Sequence, residues 1–74
     1  MVTGKRISKK EICERIFLTR QKRRFTQAKL GMEMHCDQSK ISAIENGEKK
    51  LDIEDLQALC DALDVSIQYI LFGD

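Results

Sequence analysis

Apolar residues recur at intervals of three and four along most of the chain, the spacing that places side chains on one face of an α-helix. The fullest example is a stripe of four residues at i, i+3, i+4 and i+7, namely Leu56, Leu59, Cys60 and Leu63. Shorter stripes with helical spacing pair Ile12 with Ile16, Cys13 with Phe17, Ala28 with Leu30, Gly31 and Met34, Ile41 with Ile44, and Ile67 with Ile70 and Leu71. Alternation of period two is weak, so the pattern predicts an all-α fold.

Residues that begin or end helices flank these stripes. Ser8 and Glu11 form a capping-box pattern, and Thr26, Asp37 and Ser66 can each begin a later helix with a side-chain oxygen. Asn46-Gly47 can end one, because both residues tolerate a positive φ. The expected helices are residues 9–22, 27–34, 38–45 and 53–63, and a last short one after Ser66.

The chain has 74 residues and no proline, enough for one small helical domain. We expect residues 1–7 to form a flexible arm and residues 8–74 the domain. No apolar run approaches the ~18 residues that span a bilayer. The basic N-terminus also lacks the apolar segment of a signal peptide, so a cytoplasmic location is expected. Three widely spaced cysteines and one histidine predict free thiols, with no disulfide, metal or cofactor.

The net charge of +1 conceals a strong asymmetry. Residues 1–50 contain all 13 lysine and arginine residues with six acidic residues, and therefore carry +7. Residues 51–74 contain six acidic residues and no basic one, and carry −6. This distribution indicates that the first part of the chain faces a polyanion, although a solvated basic face without a partner is the alternative. The acidic residues of the last third are interpreted as a solvated helix face.

The segment from Phe25 to Gly47 predicts two short helices joined by a tight turn. Gly31 supplies the small residue that close packing of the two helices requires. His35 occupies the turn position that favours a left-handed conformation, in which histidine is enriched among non-glycine residues. Cys36 would fill the turn as a small apolar residue, and Ile41 with Ile44 would anchor the second helix to the core.

The second of these helices has an unusual outward face. On a helical wheel that face is polar, small and uncharged, with Lys40 at its flank, and consists of Gln38, Ser39, Ser42, Ala43 and Asn46. Amide and hydroxyl groups suit insertion into a DNA major groove, where base edges offer donors and acceptors. A merely solvated amphipathic helix is the alternative interpretation.

The stretch from Phe25 to Gly47 resembles, without a gap, the helix-turn-helix of the Cro and lambdoid phage repressor (Xre-type) family. The resemblance lies in its Thr-Gln start, its Ile-Ser-x-Ile-Glu-Asn-Gly end and the later Leu-Gln-Ala-Leu-Cys-Asp-Ala-Leu-Asp-Val-Ser run, and it extends over about Ile12 to Gly73. It implies a five-helix, lambda-repressor-like domain that regulates transcription, as a repressor of the prophage or restriction–modification controller type. The family usually has alanine at Gly31, glycine at His35 and proline at Leu51, and serine or threonine is common at Asp37.

The resemblance also implies roles for individual residues in binding duplex DNA. Gln38 matches the base-reading glutamine, and Ser39, Ser42 and Ala43 match further positions that face the groove. Gln27 matches a glutamine that contacts a phosphate and braces the base reader. The other expected phosphate contacts are Asn46, Lys49 and Lys50, with Lys40 and Arg24 as additional candidates. For each lysine or arginine taken alone, a purely solubilising role is the alternative.

Two charged residues occupy inward-facing positions. Arg20 extends the stripe of Ile12 and Ile16, and Glu45 extends the stripe of Ile41. A charge on an inward stripe is costly unless it is paired. We therefore expect Arg20 and Glu45 to form a structural ion pair, which matches a pair typical of the family.

The sequence gives poor support for an enzyme, because it has one histidine, no nucleophile–base arrangement and no phosphate-binding glycine loop. An antitoxin-like protein that binds operator DNA and a protein partner is one alternative to a stand-alone regulator. A protein-interaction module of the same fold is another. We expect a homodimer on a palindromic operator, because one domain reads few base pairs. Its interface is placed at Tyr69, Leu71 and Phe72, which cannot all face so small a core; the alternative is that Phe72 folds back over its own core.

Overall fold

The computed structural model describes residues 7–73, and that part of the chain contains five helices. They are α1 (Lys9–Lys22), α2 (Gln27–Glu33), α3 (Gln38–Glu45), α4 (Ile53–Leu63) and α5 (Ile67–Phe72). The all-α prediction is confirmed. Helix α2 ends one residue earlier than expected, because Met34 is its C-cap. Residues 1–6 of the predicted arm, and Asp74, lie outside the described residues. None of these helices is long and apolar enough to cross a membrane.

Every helix begins at a residue whose side-chain oxygen accepts a hydrogen bond from a backbone N–H three residues later. These N-caps are Ser8, Thr26, Asp37, Asp52 and Ser66. Asp64 ends α4 in the left-handed conformation, with a φ of 57°. Local sequence therefore sets most of the helix boundaries. Asp52, the N-cap of α4, is a capping residue that the sequence pattern had not indicated.

Each helix contributes at least one fully buried aliphatic side chain to the core: Ile16, Leu30, Ile41 with Ile44, Leu59 with Leu63, and Ile70. Each such burial contributes about 1.5–3 kcal/mol relative to an exposed side chain. Helix α2 packs mainly against α3, while α1 contacts α3, α4 and α5. Helix α1 is therefore the support against which the helix pair α2–α3 is fixed.

Two residues expected in the core lie outside it. Phe17 is 38% exposed, because the inward face of α1 is centred on Ile12 and Ile16 and Phe17 lies well to one side. Its ring instead lies 5.4 Å from the guanidinium carbon of Arg20, a cation–π geometry. Ala28 is exposed.

The three cysteines are free thiols in this structure. Cys13 and Cys36 are half-buried, while Cys60 lies in the core, where burial raises the pKa of its thiol above the usual range. Across residues 7–73 no group of three histidine, cysteine, aspartate or glutamate side chains is placed to bind a metal ion.

Candidate nucleic-acid interface

The turn between α2 and α3 is built on a very close approach of backbone to backbone. The Cys36 N–H donates to the Gly31 carbonyl at 2.8 Å. A Cβ atom at Gly31 would lie 2.8 Å from the Cys36 carbonyl oxygen, closer than real Cβ contacts, so a larger residue here would require the backbone of the turn to shift. His35 adopts the left-handed conformation expected of it, with a φ of 58°. These two positions set the angle at which α3 leaves the turn.

Helix α3 presents one face away from the core. Gln38 and Ser39 are exposed at its first turn, and Ser42 and Ala43 are half-buried one turn later. These four residues line one shallow depression together with Gln27, Asp37 and Glu48. Asn46 follows at the C-cap, where its amide donates to the Ser42 hydroxyl at 3.4 Å. The structure thus brings the sequence-predicted face residues onto one surface.

A buried ion pair lies beneath this surface. Arg20 donates from Nε and Nη2 to the two carboxylate oxygens of Glu45, at 2.6 and 3.1 Å, in a bidentate arrangement. The side chains are 10% and 3% exposed. Arg20 also donates from Nη1 to the Phe25 carbonyl at 2.8 Å. The pair therefore joins α1, the start of the turn motif and the end of α3.

Hydrogen bonds connect this ion pair to the surface. The Gln27 amide nitrogen donates to Glu45 Oε1 at 3.1 Å. The Gln27 amide oxygen in turn accepts from Gln38 Nε2 at 3.3 Å. The exposed Gln38 side chain is therefore the outer end of a chain that begins at the buried guanidinium of Arg20. The sequence had indicated each member, but the tertiary structure supplies the link between Gln27 and Glu45.

The basic residues near this surface have different surroundings. Arg24 and Lys50 are exposed, and Arg24 has a φ of 61° just after α1. Lys40 and Lys49 instead converge on Asp55 of α4, with their Nζ atoms 2.9 and 3.4 Å from its two carboxylate oxygens. Both lysines keep about a third of their side chains exposed, at 34% and 37%.

Asp55 is the main residue that sequence reasoning missed. The acidic residues of the last third were interpreted as a solvated face, which is wrong for Asp55: it is only 8% exposed. The hydrogen bond from Lys40 is the main reason that the pKa of this carboxyl lies below its usual range. A signal was present, because Asp55 precedes Leu59 by four residues on the inward stripe of α4. The same reasoning that identified Arg20 and Glu45 would have identified it.

Asp37, at the start of α3, is an exposed carboxylate within the surface. Its Oδ1 accepts from the Ser39 hydroxyl at 2.8 Å and from the Lys40 backbone N–H at 3.2 Å. These two hydrogen bonds, with Ser39 the larger cause, lower the pKa of the Asp37 carboxyl. Asp37 therefore caps the helix as an anion and orients Ser39.

The C-terminal helix α5 packs against α1 and α4. Tyr69, Leu71 and Phe72 are each half-buried, and Leu71 and Tyr69 pack against the core. Arg15 of α1 donates from Nη1 to the carbonyls of Ile70 and Leu71 at 2.8 and 3.1 Å. This arginine, which the sequence did not single out, satisfies acceptors at the end of α5.

Comparison with known proteins places the chain in a family. The helix-turn-helix family model matches residues 16–70, and the chain belongs to this family. The P22 c2 repressor, solved in complex with a synthetic operator, is 38% identical with a TM-score of 0.77, over 85% of this chain and 96% of that chain. The solution structure of the DNA-binding domain of the P22 c2 repressor gives 35% identity and a TM-score of 0.82, over 92% and 90%.

A more distant likeness concerns the fold alone. The restriction–modification controller protein C.AhdI from Aeromonas hydrophila is 19% identical with a TM-score of 0.79, over 84% of this chain and 94% of that chain. The comparison with curated proteins found no match. The five-helix repressor-like fold expected from the resemblance is confirmed by the solved structures and by the family model.

Proposed function

We propose that this chain, a DNA-binding transcriptional regulator of the helix-turn-helix family, inserts α3 into the major groove of duplex DNA and acts as a repressor. Family membership and 38% identity to a repressor solved on an operator support DNA binding. The observation that carries the groove assignment is the hydrogen-bonded chain from buried Arg20 through Glu45 and Gln27 to exposed Gln38. It holds an uncharged amide in place at the outer surface of α3, as base recognition requires.

Gln38 is proposed to read a base edge, because an amide can pair bidentately with adenine N6 and N7. Ser39 and Ser42 offer hydroxyls to neighbouring bases, and Ala43 offers only a methyl contact, for instance to thymine. Of these, Ser39 is already oriented by Asp37, and Ser42 by Asn46. The proposed groove face is therefore short, small and restrained.

Phosphate contacts are proposed for residues around that face: Gln27, Asn46, Lys40, Lys49, Lys50 and Arg24. Such contacts fix register and supply the sequence-independent part of the affinity. Gln27 lies beside the first residue of α3, to which it is hydrogen-bonded, and Asn46, Lys49 and Lys50 follow the last one. The protein would act in the cytoplasm, where its DNA target is accessible, and would perform no catalysis.

We also propose that two copies associate through the α5 ends, leaving both α3 faces free to read a palindromic site. The half-buried Tyr69, Leu71 and Phe72 provide an apolar edge there, and Arg15 fixes the end of the helix that carries it. Two domains related by a two-fold axis would read half-sites about one helical turn apart.

The test is selection of binding sites from random duplexes, followed by gel-shift titrations of wild type and Gln38→Ala at several salt concentrations. We expect the wild-type affinity to fall with salt by a slope of about 0.9 per neutralised phosphate. Gln38→Ala should weaken the selected site by about 1–3 kcal/mol and relax preference at one base pair, with non-specific binding nearly unchanged. Gln57→Ala, an exposed glutamine on α4, is the matched control. Absence of binding at low salt would refute the function, and an equal loss on specific and random DNA would refute the role of Gln38.

A further inference from the structure

Asp55 is a buried carboxylate shared by two lysines from different segments. Lys40 of α3 lies 2.9 Å from Oδ1, and Lys49 of the loop after α3 lies 3.4 Å from Oδ2. The Asp55 side chain is 11% exposed. Its backbone N–H donates to the Asp52 carboxylate at 2.8 Å, so the first turn of α4 fixes its position. The 2.9 Å contact with Lys40 has the length of a charge-assisted hydrogen bond.

The two lysines are held unequally and are not fully enclosed. Oδ1 receives a hydrogen bond from Lys40, which also raises the pKa of that ammonium group. Oδ2 is buried without a hydrogen-bond donor of suitable geometry in the described part of the chain, so its contact with Lys49 is the looser ionic one. Each lysine keeps about a third of its side chain in solvent, at 34% and 37%. Both lysine side chains are therefore partly accessible from solvent.

We propose that Asp55 is an internal competitor with DNA phosphates for Lys40 and Lys49, which lowers affinity for any duplex and leaves sequence discrimination to the α3 face. The inference rests on the proposed function. Lysines contribute to the sequence-independent part of DNA binding. Because Asp55 already neutralises two lysines, it reduces this sequence-independent part of the affinity. Gln38 and the hydrogen bonds that hold it are not affected. Asp55 thus weakens binding to the specific site and to random duplexes by a similar factor, without contacting a base.

Asp55→Asn is the direct test, measured as affinity for a random-sequence duplex at several salt concentrations. Six to ten phosphate contacts change affinity by ~10³–10⁵ between 50 and 200 mM salt, which is about threefold per contact. Release of two lysines should therefore tighten non-specific binding at the lower salt and enlarge its loss between 50 and 200 mM salt by up to about tenfold. The salt slope should steepen, by at most about one for each lysine released. The ratio of affinities for the selected and random sites should stay the same, because the released lysines contact phosphates in both duplexes.

Glu54→Gln is the matched control, because it removes the same charge from an exposed neighbour in the same turn of α4. It reports the general effect of lowering negative charge near DNA. A second control repeats Asp55→Asn in the Lys40→Gln/Lys49→Gln background. There its effect should shrink to that of Glu54→Gln, because no lysine remains to be released.

The two proposals fail in different ways. If wild type binds no DNA at low salt, the proposed function fails and the role of Asp55 fails with it. If wild type binds but Asp55→Asn matches Glu54→Gln, or weakens binding while its thermal melt shows a folded protein, only the competition is overturned.

If the Asp55→Asn variant does not fold, the proposal can still be tested on the wild-type protein. NMR of the lysine ammonium groups should show Lys40 and Lys49 shifting on addition of a random duplex, and unchanged signals with DNA bound would overturn the proposal.

Discussion

At the scale of single residues, the molecule depends on a few charged groups with buried partners. Glu45 accepts from two nitrogens of Arg20 and from Gln27, so one carboxylate serves both the fold and the surface. Asp55 plays a similar double role between Lys40 and Lys49. Removing one member leaves another buried charge without its partner, which costs more than the net stabilisation by an intact pair.

Breaking the Arg20–Glu45 pair is therefore expected to be expensive. Arg20→Met, which leaves the Glu45 carboxylate buried and unpaired, should lower the free energy of unfolding by about 3–5 kcal/mol. The double variant Arg20→Met/Glu45→Gln should lose less than the sum of the two single variants. Urea denaturation of all four proteins gives the coupling energy. Arg23→Met, an exposed arginine on the same helix end, is the control. Small, additive losses in the free energy of unfolding would show that water reaches the Arg20–Glu45 pair.

At the scale of elements, the pair α2–α3 is defined by backbone rather than side-chain geometry. At Gly31 the Cys36 carbonyl oxygen lies only 2.8 Å from the position that a Cβ atom would occupy. At His35 the backbone turns with a φ of 58°. A non-glycine residue in the left-handed region bears a steric cost that glycine avoids. The turn is thus strained at one position and closely packed at the other.

Replacing His35 by glycine should relieve that strain. We expect His35→Gly to raise the free energy of unfolding by about 0.5–1 kcal/mol, the steric relief exceeding the greater flexibility of the unfolded chain. Asp64→Gly, at a φ of 57°, should act in the same direction. Lys29→Gly, at an exposed site within α2, should instead destabilise by about 1 kcal/mol. A destabilised His35→Gly protein in urea melts would mean that the imidazole makes a contribution larger than the strain.

At the scale of the whole molecule, charge is divided unevenly along the chain. Residues 1–50, which include α3, carry a net charge of +7, and residues 51–74, which include α5, carry −6. An acidic end is repelled by DNA, so it is free for contact with another copy. The proposed dimer uses this separation.

Sedimentation velocity across micromolar concentrations should show self-association of the wild-type chain. Tyr69→Glu and Phe72→Glu should shift it to monomer and weaken binding to a palindromic site, because each places a charge in the apolar contact. Gln68→Glu adds the same charge at an exposed position of α5 and should leave association unchanged. A monomer at every concentration that binds a single half-site would refute this arrangement.

The sequence by itself determined the five helices, because their caps and apolar stripes are local and each cap acts on an N–H three residues away. It also predicted the pairing of Arg20 with Glu45, because each charge extends an inward stripe of its own helix. The exposed residues of α3 followed from the same periodicity. Family resemblance then supplied the expected roles of these residues, which the short helices alone could not.

Only the tertiary structure decided which distant groups meet. Arg15 reaches carbonyls 55 and 56 residues away, and Lys40 and Lys49 turn toward Asp55. Long, flexible side chains have many rotamers, so their partners depend on how the helices are placed rather than on spacing within one helix. Phe17 shows the same limit, because its i, i+4 spacing with Cys13 identifies a face of α1 but not whether another helix covers it.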